Sequence, residues 1–451
     1  MLKRKQIQRL HSKVEGTVLT PEEDGFQNAR HLRFQGSDGS APQLIVRPYD
    51  ADDVVEAIRF VQEVDIPLTV KGGGCHPAGT AAAEDGLLLA MSSMKSIQVN
   101  SADQWAITQT GVTWGEFDQV TQAFGLACTG ATIPDAGIVG QTLSGGIGWL
   151  HRKQGLSCDH VISAELATAD GKLLNVSEEE NPDLLWALKG AGQHFGVVTS
   201  IAYQLEAMEP EVLAGYVTYP LDKLRDLTPH HRELSDTFPD ELSTWLIVET
   251  GQDGAGLCRL VIFYAGDLEE GRAWHQKLIS FAPPTEDTVS RMAYLEWQMM
   301  SPFVSPTGQL DQTEGPQSWH CLDLEKFPPG TVEVFQNSIA KAPSEGCKIV
   351  VAQMGGAVRR AVDEFSAIGA VEAENRIIVI GAANTVDGVT ACSKWAAGVR
   401  DSFVNLGGRL SDPGLTGADV RRTSLYSANA IERLNILKAD YDPETIFGPG
   451  F

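Results

Sequence analysis

The feature that most constrains this chain is a series of glycine-rich stretches in its first half. The densest cover residues 71–74, 137–148 and 190–196, and a further turn lies near Gly111. Glycine adopts backbone conformations that other residues avoid, and it lets another group approach the main chain closely. The sequence therefore predicts many tight turns, or loops that lie against a ligand.

The first glycine run ends a predicted βαβ unit. Residues 43–48 are typical of a strand, Asp50 is placed to cap an amphipathic helix, and residues 65–70 return as a second strand. Residues 75–79 do not open a helix, as a Rossmann fingerprint requires, and no Gly-Lys-Ser/Thr follows, as a Walker loop requires. Two interpretations stay open: plain turns, and a nest of backbone N–H groups for a pyrophosphate.

The pattern of predicted helices and strands changes along the rest of the chain. A helix with a capping box is predicted at Thr113, and another at Asn181 with a proline in its first turn. Residues 206–410 alternate strand-like runs with helices, which is typical of a separate α+β domain. The last helix, within residues 426–451, has few neighbours of its own and must dock elsewhere.

Charge and cysteine usage argue against several classes of function. The 35 lysines and arginines against 59 acidic residues leave a net charge of −24, so nucleic-acid binding is not expected. No apolar run reaches the roughly 18 residues of a membrane span, and the N-terminus lacks the apolar core of a signal peptide. Seven dispersed cysteines form no CxxC pair, so neither a disulfide framework nor a metal site is predicted. We expect a cytoplasmic protein, although a glycosylation sequon at Asn175 points weakly the other way.

Taken together and in order, the motifs resemble those of the vanillyl-alcohol oxidase and berberine-bridge-enzyme family, which has a PCMH-type FAD-binding domain. Residues 66–79 are similar to its first FAD loop, residues 110–114 to the next turn, and residues 137–159 to its second FAD loop. Residues 180–199 resemble the last elements of that domain, and residues 432–443 resemble its closing helix. Several ordered motifs over nearly the whole chain are far more specific than one glycine run.

The resemblance implies a two-domain α+β fold, in which an antiparallel-sheet substrate domain covers the flavin ring. The predicted FAD-binding domain is residues 1–206, with its core at about 40–206. The predicted substrate domain is residues 207–412, and residues 413–451 return to the FAD-binding domain. The resemblance assigns cofactor binding to Lys71, Gly72, Gly73, Gly74, Cys75, His76, Gly79, Ser92, Gly111, Thr132, Ile133, Gly137, Gly140, Thr142, Ser144, Gly145, Gly146, Gly148, Gly196 and Val197.

The chain departs from the family where the flavin is often covalently attached. A histidine commonly follows the glycine run directly, but here Cys75 stands in that place and His76 comes one residue later. Some members add a bond through a cysteine, and the matching Ile133 cannot supply it. We expect non-covalent FAD, with a thioether to Cys75 and a one-residue shift that presents His76 as the open alternatives.

The catalytic base is not readable from the family pattern, because residues 407–412 lack the Tyr-x-Asn motif that often precedes the final helix. The candidates are Glu249, Tyr264 and His320 on predicted strands of the substrate domain, and Tyr426 and Asn429 at the start of the last helix. The last two are preferred, since the family brings this helix back to the flavin ring. The three strand residues also suit plain roles as a solvated charge, a packed aromatic ring and a satisfied histidine.

The resemblance implies an FAD-dependent oxidase of a small apolar or aromatic metabolite, such as one of secondary metabolism. Substrate hydride would pass to flavin N5, and dioxygen would reoxidise the flavin. The alternative is a flavin-holding cyclase or isomerase, for example a pericyclic cyclase, without net oxidation; a non-catalytic binding protein is disfavoured because the FAD loops are intact. The expected partners are the small-molecule substrate and dioxygen, with no nucleic acid, membrane or metal.

Overall fold

The computed structural model describes residues 2–33, 41–77, 79–81, 84–251, 253–300, 303, 317–361, 365–383, 386–415 and 425–451. In chain order the strands are β1 (Thr17–Leu19), β2 (Leu44–Arg47), β3 (Leu68–Lys71), β4 (Leu87–Ala90), β5 (Ile97–Asn100), β6 (Trp105–Gln109), β7 (Leu126–Ala127), β8 (Val161–Ala167), β9 (Leu173–Ser177), β10 (Val197–Gln204), β11 (Glu206–Ala207), β12 (Glu211–Pro220), β13 (Leu242–Thr250), β14 (Gly256–Tyr264), β15 (Glu286–Asp287), β16 (Ser290–Ala293), β17 (Gln317–Leu324), β18 (Lys348–Gln353), β19 (Asn375–Ala382) and β20 (Arg409–Leu410). The α-helices are α1 (Arg4–His11), α2 (Phe26–Arg30), α3 (Ala51–Val64), α4 (Trp114–Gln122), α5 (Ile138–Thr142), α6 (His151–Gln154), α7 (Pro182–Ala191), α8 (Leu224–Ser235), α9 (Leu268–Ile279), α10 (Tyr294–Met300), α11 (Thr331–Ile339), α12 (Ala357–Arg360), α13 (Val386–Asn405) and α14 (Ala428–Tyr441).

A small mixed sheet carries the first glycine run. Its strand order is β1-β2-β4-β3, with β2 and β3 parallel to β4 and β1 antiparallel to β2. The predicted βαβ unit is present, and the Asp50 side chain caps α3 by accepting a hydrogen bond from the Asp53 amide at 3.1 Å. Because β3 is an edge strand that ends at Lys71, the glycines after it leave the sheet at once.

A second, antiparallel sheet has the order β5-β6-β10-β8-β9 and shares one core with α4 and α7. The predicted capping box at Thr113 is present. It starts α4 so that Trp114 and Phe117 pack against Tyr203, with ring centroids 5.9 and 5.5 Å away. α7 starts at the predicted place, but Asn181 makes no side-chain cap: its backbone is left-handed, with φ of 57°, and its side-chain N–H donates to the Asn175 carbonyl in β9 at 2.7 Å.

The second half of the chain forms a nine-stranded antiparallel sheet, ordered β15-β12-β14-β13-β18-β19-β17-β20, with β16 also paired to β12. One face packs on α8, α9, α11 and α13 through a continuous apolar core. The other face packs on the first half of the chain around Trp149, Trp245 and Trp297. Side chains alternate between the faces along each strand, so the register decides which residues face the first half.

The last helix, α14, packs on α7, and Leu434 is buried in the core of the second sheet. Lys438, near the end of the same helix, is also buried. Its ammonium donates to the His194 carbonyl at 2.8 Å and pairs with the Asp442 carboxylate. The predicted domain boundaries stay predictions. Among the helices in the described ranges, none combines the length and the apolar character that crossing a membrane requires.

Candidate active site

A cavity of about 470 Å³ lies between the glycine loops and the nine-stranded sheet. One wall comes from residues 68–77, 131–147 and 193–198, and the other from β13, β17, β18 and β19. Its volume is in the range of small-molecule and cofactor sites. The two halves of the chain therefore build one site together.

Two glycine loops meet there through their backbones. A Cβ on Gly73 would lie 2.4 Å from the Gly137 nitrogen, and a Cβ on Gly137 would lie 2.4 Å from the Gly73 nitrogen. No side chain fits into that contact, so both residues must be glycine for the loops to form one wall. Gly74 and Gly146, with φ of 70° and 85°, also need the freedom of glycine.

The same wall presents bare backbone to the cavity. A Cβ on Gly140 would meet no atom within 4 Å, and one on Gly72 would meet only a carbonyl oxygen at 3.7 Å. Neither glycine has the positive φ that would itself demand glycine. Backbone without side chains, turned to a cavity, suits the close approach of phosphate oxygens, so these residues fit the predicted dinucleotide cofactor.

Most of the residues predicted to bind the cofactor line this cavity. They are Gly72, Gly73, Gly74, Cys75, His76, Thr132, Ile133, Gly137, Gly140, Gly146, Gly196 and Val197. The others are not among the lining residues, namely Lys71, Gly79, Ser92, Gly111, Thr142, Ser144, Gly145 and Gly148.

The glycines outside the cavity serve packing and turns. A Cβ on Gly111 or Gly148 would lie 2.1 or 1.9 Å from a backbone oxygen, so each permits close contact between two main chains. Gly145 has φ of 101°, and a Cβ on it would lie 2.5 Å from the Ile368 side chain. Gly79 closes a short turn, in which its amide donates to the His76 carbonyl at 2.9 Å.

The polar residues outside the cavity have protein partners or face solvent. The Lys71 ammonium donates to the Ala29 carbonyl at 2.8 Å. The Thr142 hydroxyl lies 2.8 Å from the Tyr203 hydroxyl and is fully buried. The Ser144 hydroxyl donates to the Gly140 carbonyl at 3.2 Å, and Ser92 is exposed. Most of the segments identified by motif spacing border this region, but the spacing did not separate residues that line the cavity from residues that support it.

Both residues at the attachment position line the cavity. The Cys75 sulfur lies 3.5 Å from the Gly73 carbonyl and 3.7 Å from the Asp135 carbonyl. Burial raises the pKa of the Cys75 thiol, and Arg33 opposes this effect. The thiolate is the nucleophilic form, so the raised pKa disfavours bond formation through this sulfur. The His76 Nε2 lies 3.0 Å from the Pro413 carbonyl oxygen.

The sheet wall is aromatic and aliphatic. Trp245, Val350 and Ile378 lie on its cavity face, and Ile380 stands between Lys348 and Trp319 in the register of β18, β19 and β17. The Trp319 indole N–H donates to the Gln317 side chain at 2.7 Å, which holds the ring against the wall. A surface of this kind suits a flat apolar or aromatic ring.

The structure brings one of the predicted catalytic residues to the cavity face of the sheet. Glu249 shares that face with Trp245, as predicted, and stands opposite Lys348 in the register. Its carboxylate forms an ion pair with Arg259 and is not among the lining residues.

Tyr264 and His320 are not brought to the cavity. Tyr264 lies in the apolar core on the helix side of the sheet, where its hydroxyl donates to Glu270 at 3.0 Å. His320 alternates with Trp319 along β17 and pairs with Val379, which belongs to the same helix-side core. Both side chains thus point away from the site.

The preferred candidates on the last helix also lie elsewhere. The Tyr426 hydroxyl donates to the Gly190 carbonyl at 2.9 Å, and its ring packs on Phe451 with centroids 5.6 Å apart. Asn429 is exposed on the first turn of α14. The helix returns to the first half of the chain and Tyr426 supports its docking, but neither Tyr426 nor Asn429 is among the residues that line the cavity.

The cavity is also lined by two charged residues, Lys348 and Asp412, that were not predicted from the sequence. Asp412 is buried, and its carboxylate accepts from Arg376 at 2.7 Å and from the Gly414 amide at 3.0 Å. Burial raises the pKa of Asp412, while Arg376 opposes this effect; Arg376 also binds Asp323 through two hydrogen bonds. A lysine that starts an otherwise apolar strand is a signal the sequence offered, whereas Asp412 before Pro413-Gly414 is typical of an ordinary turn.

No group of three or more histidine, cysteine or acidic side chains within the described ranges is arranged to hold a metal ion.

Comparisons with known proteins agree with this geometry. Residues 42–177 match the family model described as FAD binding domain. The chain is 28% identical over 438 residues to an FAD-linked oxidoreductase of Dictyostelium discoideum, covering 96% of this chain and 93% of that protein. It is 26% identical over 458 residues to (R)-6-hydroxynicotine oxidase of Paenarthrobacter nicotinovorans, covering 96% and 95%. The solved structure of BBE-like 1 from Physcomitrella patens superposes with a TM-score of 0.88 at 17% identity, covering 98% and 97%. The predicted two-domain α+β fold is confirmed.

Proposed function

We propose that this chain, which belongs to the FAD-linked oxidoreductases with a PCMH-type FAD-binding fold, is an oxidase of a small organic metabolite, in secondary metabolism. One observation carries the proposal: a single cavity joins the glycine loops to an aromatic sheet face. When bound, FAD supplies a hydride acceptor at N5 and passes the electrons to dioxygen. The protein's share is to hold the cofactor, orient the substrate and move a proton.

The glycine loops would hold the cofactor's pyrophosphate. The contact between Gly73 and Gly137 fixes the two loops against each other, and Gly72 and Gly140 leave the backbone accessible from the cavity. The sheet wall would press the substrate against the flavin ring. Trp245, Trp319 and the aliphatic residues between them favour a flat apolar or aromatic substrate.

We assign the proton transfer to Asp412, the acidic residue among the described lining residues. Its raised pKa suits a base that takes the proton of a substrate O–H or N–H group while the neighbouring carbon gives up its hydride. Arg376 fixes the carboxylate in place, and Asp323 in turn fixes Arg376. The substrate would lose two electrons, which bound FAD would accept as the hydride, and the proton would stay on Asp412 until it is released to solvent.

We also propose that FAD is held without a covalent bond and that the protein works in the cytoplasm. The protonated Cys75 thiol and the His76 imidazole, which lies beside the Pro413 carbonyl, support the first. Seven cysteines without a disulfide among the described residues support the second.

Anaerobic mixing of the holoprotein with a panel of small aromatic alcohols, amines and related metabolites tests the oxidase proposal. A substrate should bleach the oxidised-flavin absorbance in step with product formation, and air should restore it with release of hydrogen peroxide. A panel member converted to an isomer while the flavin stays oxidised would favour the cyclase or isomerase and overturn the oxidase.

A further inference from the structure

Residues 412–415, which we call the bridging segment, follow the nine-stranded sheet and border the cavity. The strand before them, β20, lies at one edge of the sheet, and the Ser411 amide still donates to the Cys321 carbonyl of β17 at 3.1 Å. Of the segment itself, Asp412, Gly414 and Leu415 line the cavity. The proposed base is therefore carried by a segment that comes after the sheet rather than by one of its strands.

The bridging segment makes a tight turn at Asp412. The φ of this residue is 55°, in the left-handed region that residues other than glycine rarely adopt. Two hydrogen bonds close the turn: the Asp412 carboxylate accepts from the Gly414 amide at 3.0 Å, and its carbonyl accepts from the Leu415 amide at 3.2 Å. Such a conformation persists where the surrounding structure holds it. On the sheet side, Arg376 holds it through the carboxylate.

Both glycine loops contact the bridging segment from the first half of the chain. The His76 Nε2 lies 3.0 Å from the Pro413 carbonyl oxygen, although the two residues are 337 positions apart. A carbonyl oxygen can only accept a hydrogen bond, so Nε2 carries the proton and donates it. A Cβ on Gly414 would lie 2.9 Å from the Ser144 Cβ, so the segment also packs closely on the second glycine loop.

The hydrogen bond at Pro413 bears directly on the position of Asp412. The two residues are adjacent, and the proline ring fixes its own φ, so few backbone rotations separate the Pro413 carbonyl from the Asp412 backbone. Loss of this bond would let the turn open. Opening would displace the carboxylate that Arg376 and the Gly414 amide bind.

We propose that His76 is a positioning residue: its hydrogen bond to Pro413 fastens the bridging segment to the first glycine loop and holds Asp412 at the cavity wall. This inference rests on the proposed function, because Asp412 is the base assigned there. The fastening itself is a property of the oxidised holoprotein. It can be measured whether or not the site transfers hydride.

The experiment compares His76→Leu, which cannot donate, with His76→Gln, whose side-chain N–H can replace that of Nε2. Hydrogen–deuterium exchange of the Gly414 and Leu415 amides is followed by mass spectrometry in the oxidised holoprotein. In His76→Leu these amides should exchange about tenfold faster than in the wild type, the size expected for the loss of one hydrogen bond. His76→Gln should restore most of the protection.

His230→Leu is the matched control. The His230 Nε2 makes the same kind of contact, to the Lys277 carbonyl at 2.9 Å, and His230 is not among the lining residues. This variant should exchange the Gly414 and Leu415 amides as slowly as the wild type.

A second readout separates positioning of the base from a general loss of structure. With a panel substrate that reduces the wild-type flavin, His76→Leu should lower the limiting rate of flavin reduction about tenfold or more. The substrate concentration that gives half of this rate should change little, because the bond acts on the reacting geometry and not on substrate binding. His76→Gln should recover most of the rate.

Flavin content and circular dichroism show whether each variant is folded. If His76→Leu does not fold, His76→Ser, whose side chain is too short to reach the carbonyl, takes its place. The proposal is overturned if the folded, yellow variant without the donor protects the two amides as well as the wild type, or reduces its flavin as fast. Failure of the proposed function would appear separately, as wild-type flavin that no panel member reduces, and the exchange result would then decide on the role of His76.

Discussion

Asp118 ties the two halves of the chain together, and its titration should be visible in the stability of the protein. It lies on α4 and is fully buried, and it accepts a hydrogen bond from Gln298 on α10. Burial raises its pKa from 3.8 to about 7, and the Gln298 amide opposes this effect. The folded protein therefore keeps the proton up to about pH 7, whereas the unfolded chain loses it near pH 4.

The sign and size of the effect follow from this difference. Neutral Asp118 adds to the free energy of unfolding, and this contribution is fully present below about pH 4. It is lost progressively as the pH rises from about 4 to about 7, and above that range the stability no longer depends on this group. At about 1.4 kcal/mol per pKa unit, the loss amounts to roughly 4 kcal/mol. For a chain of 451 residues, with an unfolding entropy of about 2.1 cal/mol/K per residue, this lowers the melting temperature by about 4 °C.

Asp118→Asn removes the titration and keeps the shape of the side chain. Thermal unfolding of the wild type and the variant is followed by circular dichroism between pH 4.5 and pH 8, chosen to span the window of about 4 to 7. The melting temperature of the variant relative to wild type should rise by about 4 °C across that window. Asp103→Asn changes an exposed carboxylate and should follow the wild type throughout. Parallel curves for Asp118→Asn and the wild type would mean that the pKa of Asp118 is not raised in the folded protein.

Three further predictions concern the cavity. Gly140→Val should weaken FAD binding about 10- to 150-fold, the equivalent of one charge-assisted hydrogen bond of about 1.5–3 kcal/mol. The control is Gly398→Val on α13, where a Cβ is equally unobstructed, and this variant should keep a normal flavin-to-protein ratio. Equal flavin content in both variants would contradict the cofactor placement. Acid precipitation should release FAD into the supernatant, and flavin that stays in the pellet unless Cys75 is replaced by alanine would mean a thioether. Asp412→Asn should slow flavin reduction by a factor of about 100 or more and remove a pKa from its pH profile, whereas Asp323→Asn, which also removes a partner of Arg376, should lower stability and leave that pKa in the profile.

Local signals in the sequence predicted the first half of the fold well. Asp50 and Thr113 cap helices through contacts within four residues, so spacing alone identifies them. The glycine runs are short-range as well, and most of the predicted cofactor residues line the cavity. Gly140 and Gly145 look alike in the sequence, however, and they are distinguished by the three-dimensional structure: Gly145 has a positive φ and packs against Ile368, whereas Gly140 is open.

Whether a candidate catalytic residue faces the cavity depends on strand register and long-range contacts, which local sequence patterns do not show. A strand residue faces one side of the sheet or the other according to register, and a shift of one position moves it to the other face. The side chains of His320 and Trp319 therefore lie on opposite faces of the sheet, although the two residues are neighbours in the chain. Asp412 is held at the cavity by an ion pair with Arg376, which lies 36 residues away in the chain, and no local motif predicts that contact.

Whether this protein is an oxidase can be tested without knowledge of the substrate, through the reaction of its reduced flavin with dioxygen. The holoprotein is photoreduced under argon and mixed with air-saturated buffer in a stopped-flow instrument, and peroxide is quantified. An oxidase should be reoxidised faster than free reduced FAD under the same conditions, with one hydrogen peroxide formed per flavin. Reoxidation no faster than that of free reduced FAD would contradict the oxidase proposal and favour a flavin that serves without net oxidation.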